Sequence, residues 1–536
     1  MGMYAAAALA DASVFARGWM LSFIAVLAAA LLAGCGTLPA HIVRTPSTAL
    51  APSTDTALGR VAAASTPAPE QTGVRLMPLG VYSLDTRLEL AQRAQRSLDV
   101  QYYQIENDPT GRLLLRRLRD AALRGVRVRL LVDDLYTTHS DELLRQLAAY
   151  PNVQVRLFNP FCCARNGGTL MRYGASLLDF KRLNHRMHNK LFIADSVMAI
   201  AGGRNIADEY FLRHAQSNFL DIDAFVMGHA VRDMSAIFDS YWNSEVVVPI
   251  EALMAPEGDV AQMQAMFSAT VDAQGSTPAL ELPPNDVLGY GPLAEDLDAG
   301  RVGLVWGQAR AFADPPDKLL DTVGEAFQTS VTSDVISTIW GADSELVVTS
   351  PYLVPGPDGM KTILGLRDKG VRMVLITNSL AATDEPLVHN GYSRYRLAML
   401  KAGVELYEIS PTRTQATKRL GMFGNSLGRL HAKTAVIDRR TIFIGSMNLD
   451  ARSANANTEF GMFIDSPALA KEMLRVINIS RLQSSYRVRL PPNGGGLQWI
   501  TTDGEKEVIL ATEPESTWWL RMHNFIFGLF VPEQLL

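Results

Sequence analysis

The stretch His188-Asn189-Lys190-Leu191-Phe192-Ile193-Ala194-Asp195 has the form HxKxxxxD, and it occurs twice. The second copy is His431-Ala432-Lys433-Thr434-Ala435-Val436-Ile437-Asp438. The first runs on to Gly202-Gly203-Arg204-Asn205, the second to Gly445-Ser446-Met447-Asn448, so His, Lys, Asp and Asn each recur after 243 positions. One such motif is a weak signal. Two with matching continuations are a strong one, and they outweigh the reading of both as ordinary hairpin strands with polar edges. In a strand, residues i and i+2 share a face, so His and Lys of each copy project together. Asp195 and Asp438 fall where each strand turns, and each next strand ends near its Asn. Two such edges facing across a pseudo-two-fold axis would form one pocket holding two of each side chain.

That set suits a phosphodiester. Its single negative charge repels an anionic nucleophile but not a neutral imidazole, and histidine can attack covalently. Two lysines and two asparagine amides would surround the nonbridging oxygens with fixed donors, which stabilise developing charge where water is scarce. One histidine attacks phosphorus while the other, protonated, donates to the leaving alcohol; the roles reverse for the incoming alcohol or water. The scheme needs no metal or cofactor, and the sequence offers no carboxylate cluster suited to a cation. Each imidazole needs an acceptor on its second nitrogen. Glu459, in Asn457-Thr458-Glu459-Phe460-Gly461, follows His431 by 28 residues. Aligning that strand with Leu220-Asp221-Ile222-Asp223-Ala224 sets Asp221 opposite Glu459, with Asp223 as the fallback. Glu459 and Asp221 are expected to orient the histidines rather than to lie on surface strands.

Around the motifs, helix and strand signals alternate. Leu84–Arg96, Gly111–Arg124 and Asp141–Tyr150 read as helices; Ser97–Tyr103, Val126–Asp133 and Val153–Phe158 read as strands. Gly125-Val126-Arg127 is echoed by Gly370-Val371-Arg372, 245 residues on, the mark of a duplicated domain. The expected fold is α/β: two pseudo-symmetric α/β sandwich halves, with mixed, largely parallel sheets, sharing one active site. The halves are expected over 74–248 and 318–490, with a connector of some structure over 249–317 and a tail over 491–536. Residues 36–73 are rich in Ala, Pro, Ser and Thr and read as a disordered tether.

The chain has 536 residues, 48% apolar and 20% charged, with a formal net charge of −5. This balance gives no support to a general nucleic-acid binder. The three cysteines, Cys35, Cys162 and Cys163, form no spaced pairs that would indicate a disulfide framework or a zinc site. At the N-terminus, Arg17 precedes an apolar run from Trp19 to Leu32, shorter than the ~20 residues of a usual bilayer span. It ends in Leu32-Ala33-Gly34-Cys35, which resembles a bacterial lipoprotein box with cleavage before Cys35 and lipid on its thiol. Residues 1–35 are therefore expected to be a lipoprotein signal. The protein would face the periplasm from a membrane, the outer one if the source has two, because residue 36 is Gly rather than Asp.

The paired motifs resemble the phospholipase D superfamily over about residues 73–490. The flanking words Leu98-Asp99-Val100-Gln101-Tyr102-Tyr103, Val155-Arg156-Leu157-Phe158-Asn159-Pro160-Phe161 and Asn378-Ser379-Leu380-Ala381-Ala382-Thr383-Asp384 look like its cardiolipin synthase C branch. The resemblance implies two α/β halves around one site and transfer of a phosphatidyl group to phosphatidylglycerol, with phosphatidylethanolamine as a further substrate. It implies His188 as nucleophile and His431 as general acid/base, although sequence symmetry alone does not choose between them. It also implies Lys190, Lys433, Asn205 and Asn448 as phosphate ligands. Asp195 and Asp438 complete the catalytic motifs and tend to be structural in the superfamily. The expected partners are phospholipids and a membrane surface, with no nucleic acid and no obligate protein.

His389, with Tyr392 and Arg394, is expected in a loop near the pocket mouth, either touching a headgroup or as a satisfied surface histidine. The aromatic-rich stretch Trp518–Leu536 could rest on a bilayer. Its apolar positions do not read as cleanly one-sided, which favours packing against the domain. A transferase making cardiolipin is the leading expectation. A hydrolytic phospholipase D uses the same chemistry with water. A nuclease and a non-catalytic surface lipoprotein are the more distant alternatives.

Overall fold

Each half grows from strand–helix–strand crossovers, and three of the four helices are stopped in the same way. Gly125, Gly370 and Gly403 each follow a helix and adopt φ of +93°, +79° and +83°. A left-handed residue there turns the chain into the next strand at no Cβ cost. In the first half the helices Pro109–Leu123 and Asp141–Ala148 connect Ser97–Tyr102, Arg127–Asp133 and Val153–Phe158. In the second, Gly356–Asp368 and Pro386–Lys401 connect Glu345–Thr349, Arg372–Asn378 and Glu405–Ile409. The computed structural model describes residues 38, 41–161, 165, 172, 179–255, 258–273, 275, 280–320, 330–416, 426–491 and 494–528.

Those three strands in each half pair in parallel. Every other pairing in the large sheet is antiparallel among the described residues, so the sheets are mixed, and the parallel part is smaller than expected. The reason is that each motif folds as a hairpin, and hairpins pair antiparallel. Leu191–Ala194 turns through Asp195 and Ser196 (φ 50° and 57°) into Met198–Gly202; Thr434–Ile437 turns through Asp438 and Arg439 (φ 52° and 54°) into Thr441–Gly445. Two consecutive positive φ values give the tight turn that matches strand twist.

The connector supplies the strand that joins the halves. The first residues of Val305–Ala313, up to Gly307, pair with Thr72, Gly73 and Val74, and the rest, from Gln308, pairs with Phe460–Asp465. One 18-stranded sheet results. An apolar core runs through the junction, uniting Leu191, Ile193 and Trp242 with Ile444, Met462 and Val476. Each such fully buried side chain contributes roughly 1.5–3 kcal/mol, so the halves are not free to part.

The expected tether is not what residues 41–73 form. Arg44 donates to the carbonyls of Val247 and Glu245 (2.7 and 2.8 Å), and Arg156, Arg129 and Arg127 donate to those of Thr45, Ser47 and Thr48. Helix Ala57–Ser65 follows, capped by Thr56 and burying Leu58 and Val61. Guanidinium groups on the first half satisfy the backbone of residues 45–48, so this part orders without burying large apolar residues. The tail also extends the second half: Gln498–Asp503 and Lys506–Leu510 add to the strand Ser485–Arg489, ahead of helix Trp518–Gly528. Cys35, Cys162 and Cys163 lie outside the described residues, as does the run 19–32. Among the described residues, no helix is long and apolar enough to cross a membrane.

Candidate active site

The backbone entering each motif is held by the opposite half. His188 donates its N–H to the Thr458 carbonyl (2.8 Å), and Thr458 donates back to Arg186 (2.9 Å). His431 donates to the Leu220 carbonyl (2.7 Å), beside the parallel pair Ser217–Leu220 and Leu427–Leu430. The residue after each crossing strand is an acid, so the acids cross as well. His188 Nδ1 meets Glu459 Oε2 at 2.9 Å, and His431 Nδ1 meets Asp221 Oδ2 at 2.6 Å. Each imidazole is oriented by a carboxylate from the other half. An ionised carboxylate only accepts, so Nδ1 carries the proton and Nε2 keeps its lone pair. Asp223, the fallback acceptor, is instead committed to Ser83 and Arg87 in the buried interior.

The electrostatics follow from burial. Both imidazoles are lowered to about 4, His188 chiefly by desolvation and then by Lys190 and Lys433 against the pull of Glu459, and His431 by desolvation and Lys433. Lys190 is pushed well below the ordinary ammonium value, and Lys433 to about 8, again by desolvation first. Lys433 of the second half depresses His188 and Lys190 of the first, so the four groups share one pocket. Burial pushes Asp221 upward, but its bond to His431 and the cations around it win, drawing it down to about 2. Glu459 is also lowered, by His188 and Lys190 against burial. At neutral pH the site therefore holds ionised acids and neutral imidazoles, one of which can attack.

Each lysine folds back on its own motif: Lys190 Nζ donates to the His188 carbonyl (2.5 Å) and Lys433 Nζ to that of His431 (2.6 Å). Asn205 gives Nδ2 to the Tyr210 hydroxyl (2.9 Å) and, at 3.5 Å, to Gln104 Oε1. The amide oxygens of Asn205 and Asn448 are buried without a partner.

Two of the expected catalytic residues are not at the reacting end. Asp195 accepts from the backbone N–H groups of Gln95, Arg96 and Ser97, and Asp438 from those of Asp343, Ser344 and Glu345. Both pin the hairpin turn to the start of the neighbouring strand, at the end of the motif strand away from the histidine. His389 is neither in a loop nor on the surface. It is buried in helix Pro386–Lys401, against Tyr392 and beside Arg396 and Glu513.

Other residues complete the site. The rings of Tyr103 and Tyr210 stand edge-on to His188 and His431, both at 5.0 Å, and Phe219 tilts against His431. Ser446 donates to Glu459 Oε2 (2.5 Å). Asp133 accepts from the Met187 N–H (2.8 Å), and Asn378 grips both backbone groups of Leu430, so each fixes the residue before a catalytic-motif histidine. The repeat contains their signal: each lies eight residues beyond its Gly-Val-Arg glycine.

A family described as "Cardiolipin synthase, PLD-like domain" matches twice, over residues 88–242 and 335–479. The chain is 37% identical over 483 residues to cardiolipin synthase C of Escherichia coli, covering 87% of this chain and 97% of that protein. It is 30% identical to an uncharacterized protein of Helicobacter pylori, over 85% of this chain and 88% of the other. Among solved structures, phosphatidylserine synthase of Haemophilus influenzae superposes with a TM-score of 0.55 at 14% identity, covering 87% and 95% of the two chains, a likeness of fold. With two matched domains contributing one histidine each to a single pocket, the chain belongs to the phospholipase D superfamily, among the cardiolipin synthase-like proteins, and is an enzyme of that type.

Proposed function

We propose that this enzyme joins a phosphatidyl group to phosphatidylglycerol, making cardiolipin, through a phosphohistidine on His188. The observation that carries this reading is the crossed pairing of His188 with Glu459 and His431 with Asp221 in one buried pocket. His188 Nε2 attacks phosphorus, the P–O bond to the donor headgroup breaks, and protonated His431 gives that alkoxide its proton. The bound phosphodiester's negative charge offsets the two lysines and restores one imidazole proton. Neutral His431 then takes the proton of the phosphatidylglycerol hydroxyl, whose oxygen attacks phosphorus as the N–P bond breaks. Lys190, Lys433, Asn205 and Asn448 hold the nonbridging oxygens through both steps. Phosphatidylethanolamine or a second phosphatidylglycerol serves as donor.

The similarity to cardiolipin synthase C over nearly its whole length supports this assignment. Purified protein incubated with phosphatidylglycerol vesicles, with and without phosphatidylethanolamine and without added metal, is expected to yield cardiolipin by mass spectrometry. Phosphatidic acid as the main product would make the enzyme a hydrolase. No lipid product together with DNA cleavage would overturn the substrate class. We further propose that Cys35 carries the lipid that anchors the enzyme to a membrane facing the periplasm, the outer one where two exist. Mass spectrometry of the mature N-terminal peptide tests this, and an unmodified or uncleaved Cys35 overturns it.

A further inference from the structure

The last described helix, Trp518–Gly528, is built inside out. At 3.6 residues per turn, Arg521, Asn524 and Gly528 share one face, while Trp518, Trp519, Met522, Phe525 and Ile526 share the other. A helix on a water-facing surface turns its apolar stripe to the core. Here the polar face is turned inward. Asn524 and Gly528 are the buried residues, and their carbonyls accept from Asn390 (3.3 Å) and Arg394 (2.7 Å) of helix Pro386–Lys401. Gly528 admits this approach, since a Cβ there would collide with Asn390. Trp518, Trp519, Phe525, Ile526 and Phe527 are left between 43% and 68% exposed. The stretch does pack against the domain as expected, but through its polar side, and its apolar residues lie mostly outward.

The mounting is fixed. Just before the helix, Glu513 accepts from Arg396 (2.9 Å) and Glu515 from Ser410 (2.8 Å). The apolar face is therefore presented by a braced element. It also stands close to the catalytic pocket. Helix Pro386–Lys401 begins two residues after Asp384, whose charge acts on His431 and Lys433 and whose carboxylate accepts from Tyr352. Asn390, which receives the terminal helix, is six residues further on.

We infer that the outer face of Trp518–Gly528 is the docking surface by which the enzyme seats its pocket on a phospholipid bilayer. The inference rests on the proposed lipid substrate. Three features select a bilayer over a protein. The outer face carries Trp518, Trp519 and Phe525, side chains that settle at the headgroup–acyl boundary. Its four exposed side chains offer on the order of 500 Å² of apolar surface, short of the ~800 Å² per partner of a stable protein interface. Finally, a pocket that takes a membrane lipid needs the bilayer close by, and the helix is mounted on the element that follows Asp384.

The test compares the full chain with its W518S/W519S/F525S/I526S variant, both carrying Cys35→Ser so that acyl chains do not mask the helix. Co-sedimentation with phosphatidylglycerol vesicles and turnover of that vesicle lipid are expected to fall at least tenfold. Turnover of a short-chain phosphatidylglycerol dissolved below its micellar concentration is expected to stay within twofold. Equal vesicle binding by both proteins overturns the inference. So does loss of short-chain turnover in the variant, which would make the helix structural. A dimer-to-monomer shift by size exclusion with vesicle binding unchanged would make the face a subunit interface instead. If the parent binds vesicles through this helix yet turns over neither lipid, the docking surface stands and the proposed function fails.

Discussion

The two halves build equivalent corners of the pocket from different parts. His188 leans on Glu459, whose longer arm is held by the Ser446 hydroxyl. His431 leans on Asp221, one methylene shorter, whose other oxygen accepts from the Ile222 N–H (2.8 Å). The position equivalent to Ser446 is Gly203, and a Cβ there would meet both Asp221 carboxylate oxygens at 2.6 Å. Carboxylate length and the bulk of its neighbour have thus changed together. The same holds for the clamp before each histidine: Asp133, beside Arg186 at 3.3 Å, in one half and neutral Asn378 in the other. The lesson is that the fold conserves where the imidazole nitrogen sits, and the residues that achieve it vary.

The largest expected effect is loss of either histidine. His188→Ala and His431→Ala should each lower kcat by about four orders of magnitude or more. Intact-protein mass spectrometry after a base quench separates their roles. A phosphatidyl adduct that accumulates in His431→Ala and is absent from His188→Ala assigns His188 as nucleophile; the reverse pattern exchanges them. Next come the orienting acids. Glu459→Gln and Asp221→Asn keep the shape but lose the charge that fixes the tautomer, and kcat should fall about 10²–10⁴-fold, with thermal unfolding little changed. Full activity in either variant would remove the crossed pairing from the mechanism.

The halves should then part company. Gly203→Ser forces Asp221 aside and should cost about 10–100-fold, since small displacements at a reacting group are amplified. Ser446→Gly removes one donor to Glu459 and the acceptor of the Phe460 N–H but pushes no carboxylate aside, and at about 1.5 kcal/mol, the low end for a bond to a charged group, should cost roughly tenfold. Steady-state kinetics on vesicles would reveal equal losses, which would contradict the asymmetry.

The smallest effect concerns stability. Both imidazoles are lowered from 6.5 to about 4 in the folded chain. Between those values the unfolded chain binds protons that the folded chain does not, so their contribution is full above pH 6.5 and is lost as pH falls toward 4, at about 1.4 kcal/mol per unit for each histidine. Asp221 is lost only as pH falls through about 2, outside this window. Acids raised to about 6, such as half-buried Asp85 and buried Asp133, slope the opposite way. The informative quantity is therefore the difference between the wild type and a His188→Asn/His431→Asn variant. Denaturant unfolding at pH 7 and pH 5 should show the wild type losing more, and identical losses would refute the assignment.

Much of this was legible in the sequence because it is local or repeated. The doubled motif, the Gly-Val-Arg helix stops and the acid-bearing strands all recur at matched positions, and repetition turns weak signals into strong ones. What stayed hidden depends on which surface a segment meets. Nothing near Glu459 says that it serves His188 rather than His431, because that is decided by strands from different halves pairing. Asp195 and Asp438 look catalytic by membership of the motif, yet a four-residue strand and a tight turn carry them away from the histidine. The strap at residues 41–51 buries none of its apolar residues, Ile42, Val43 and Leu50 included, and its order comes from arginines on another surface. The terminal helix shows apolar residues in its sequence, but only Asn390 and Arg394 reveal that its polar side faces in.

The exchange of carboxylates also sets a timetable for the newborn chain. A ribosome that has released the first half has already made His188, Lys190 and Asn205, but the oxygen that orients His188 arrives only with residue 459. The partner acid Asp221, made early, waits for His431. Until residue 459 has emerged, the two oriented imidazoles cannot both be in place, so truncated or half-made chains should be inert toward the lipids of the cell that makes them.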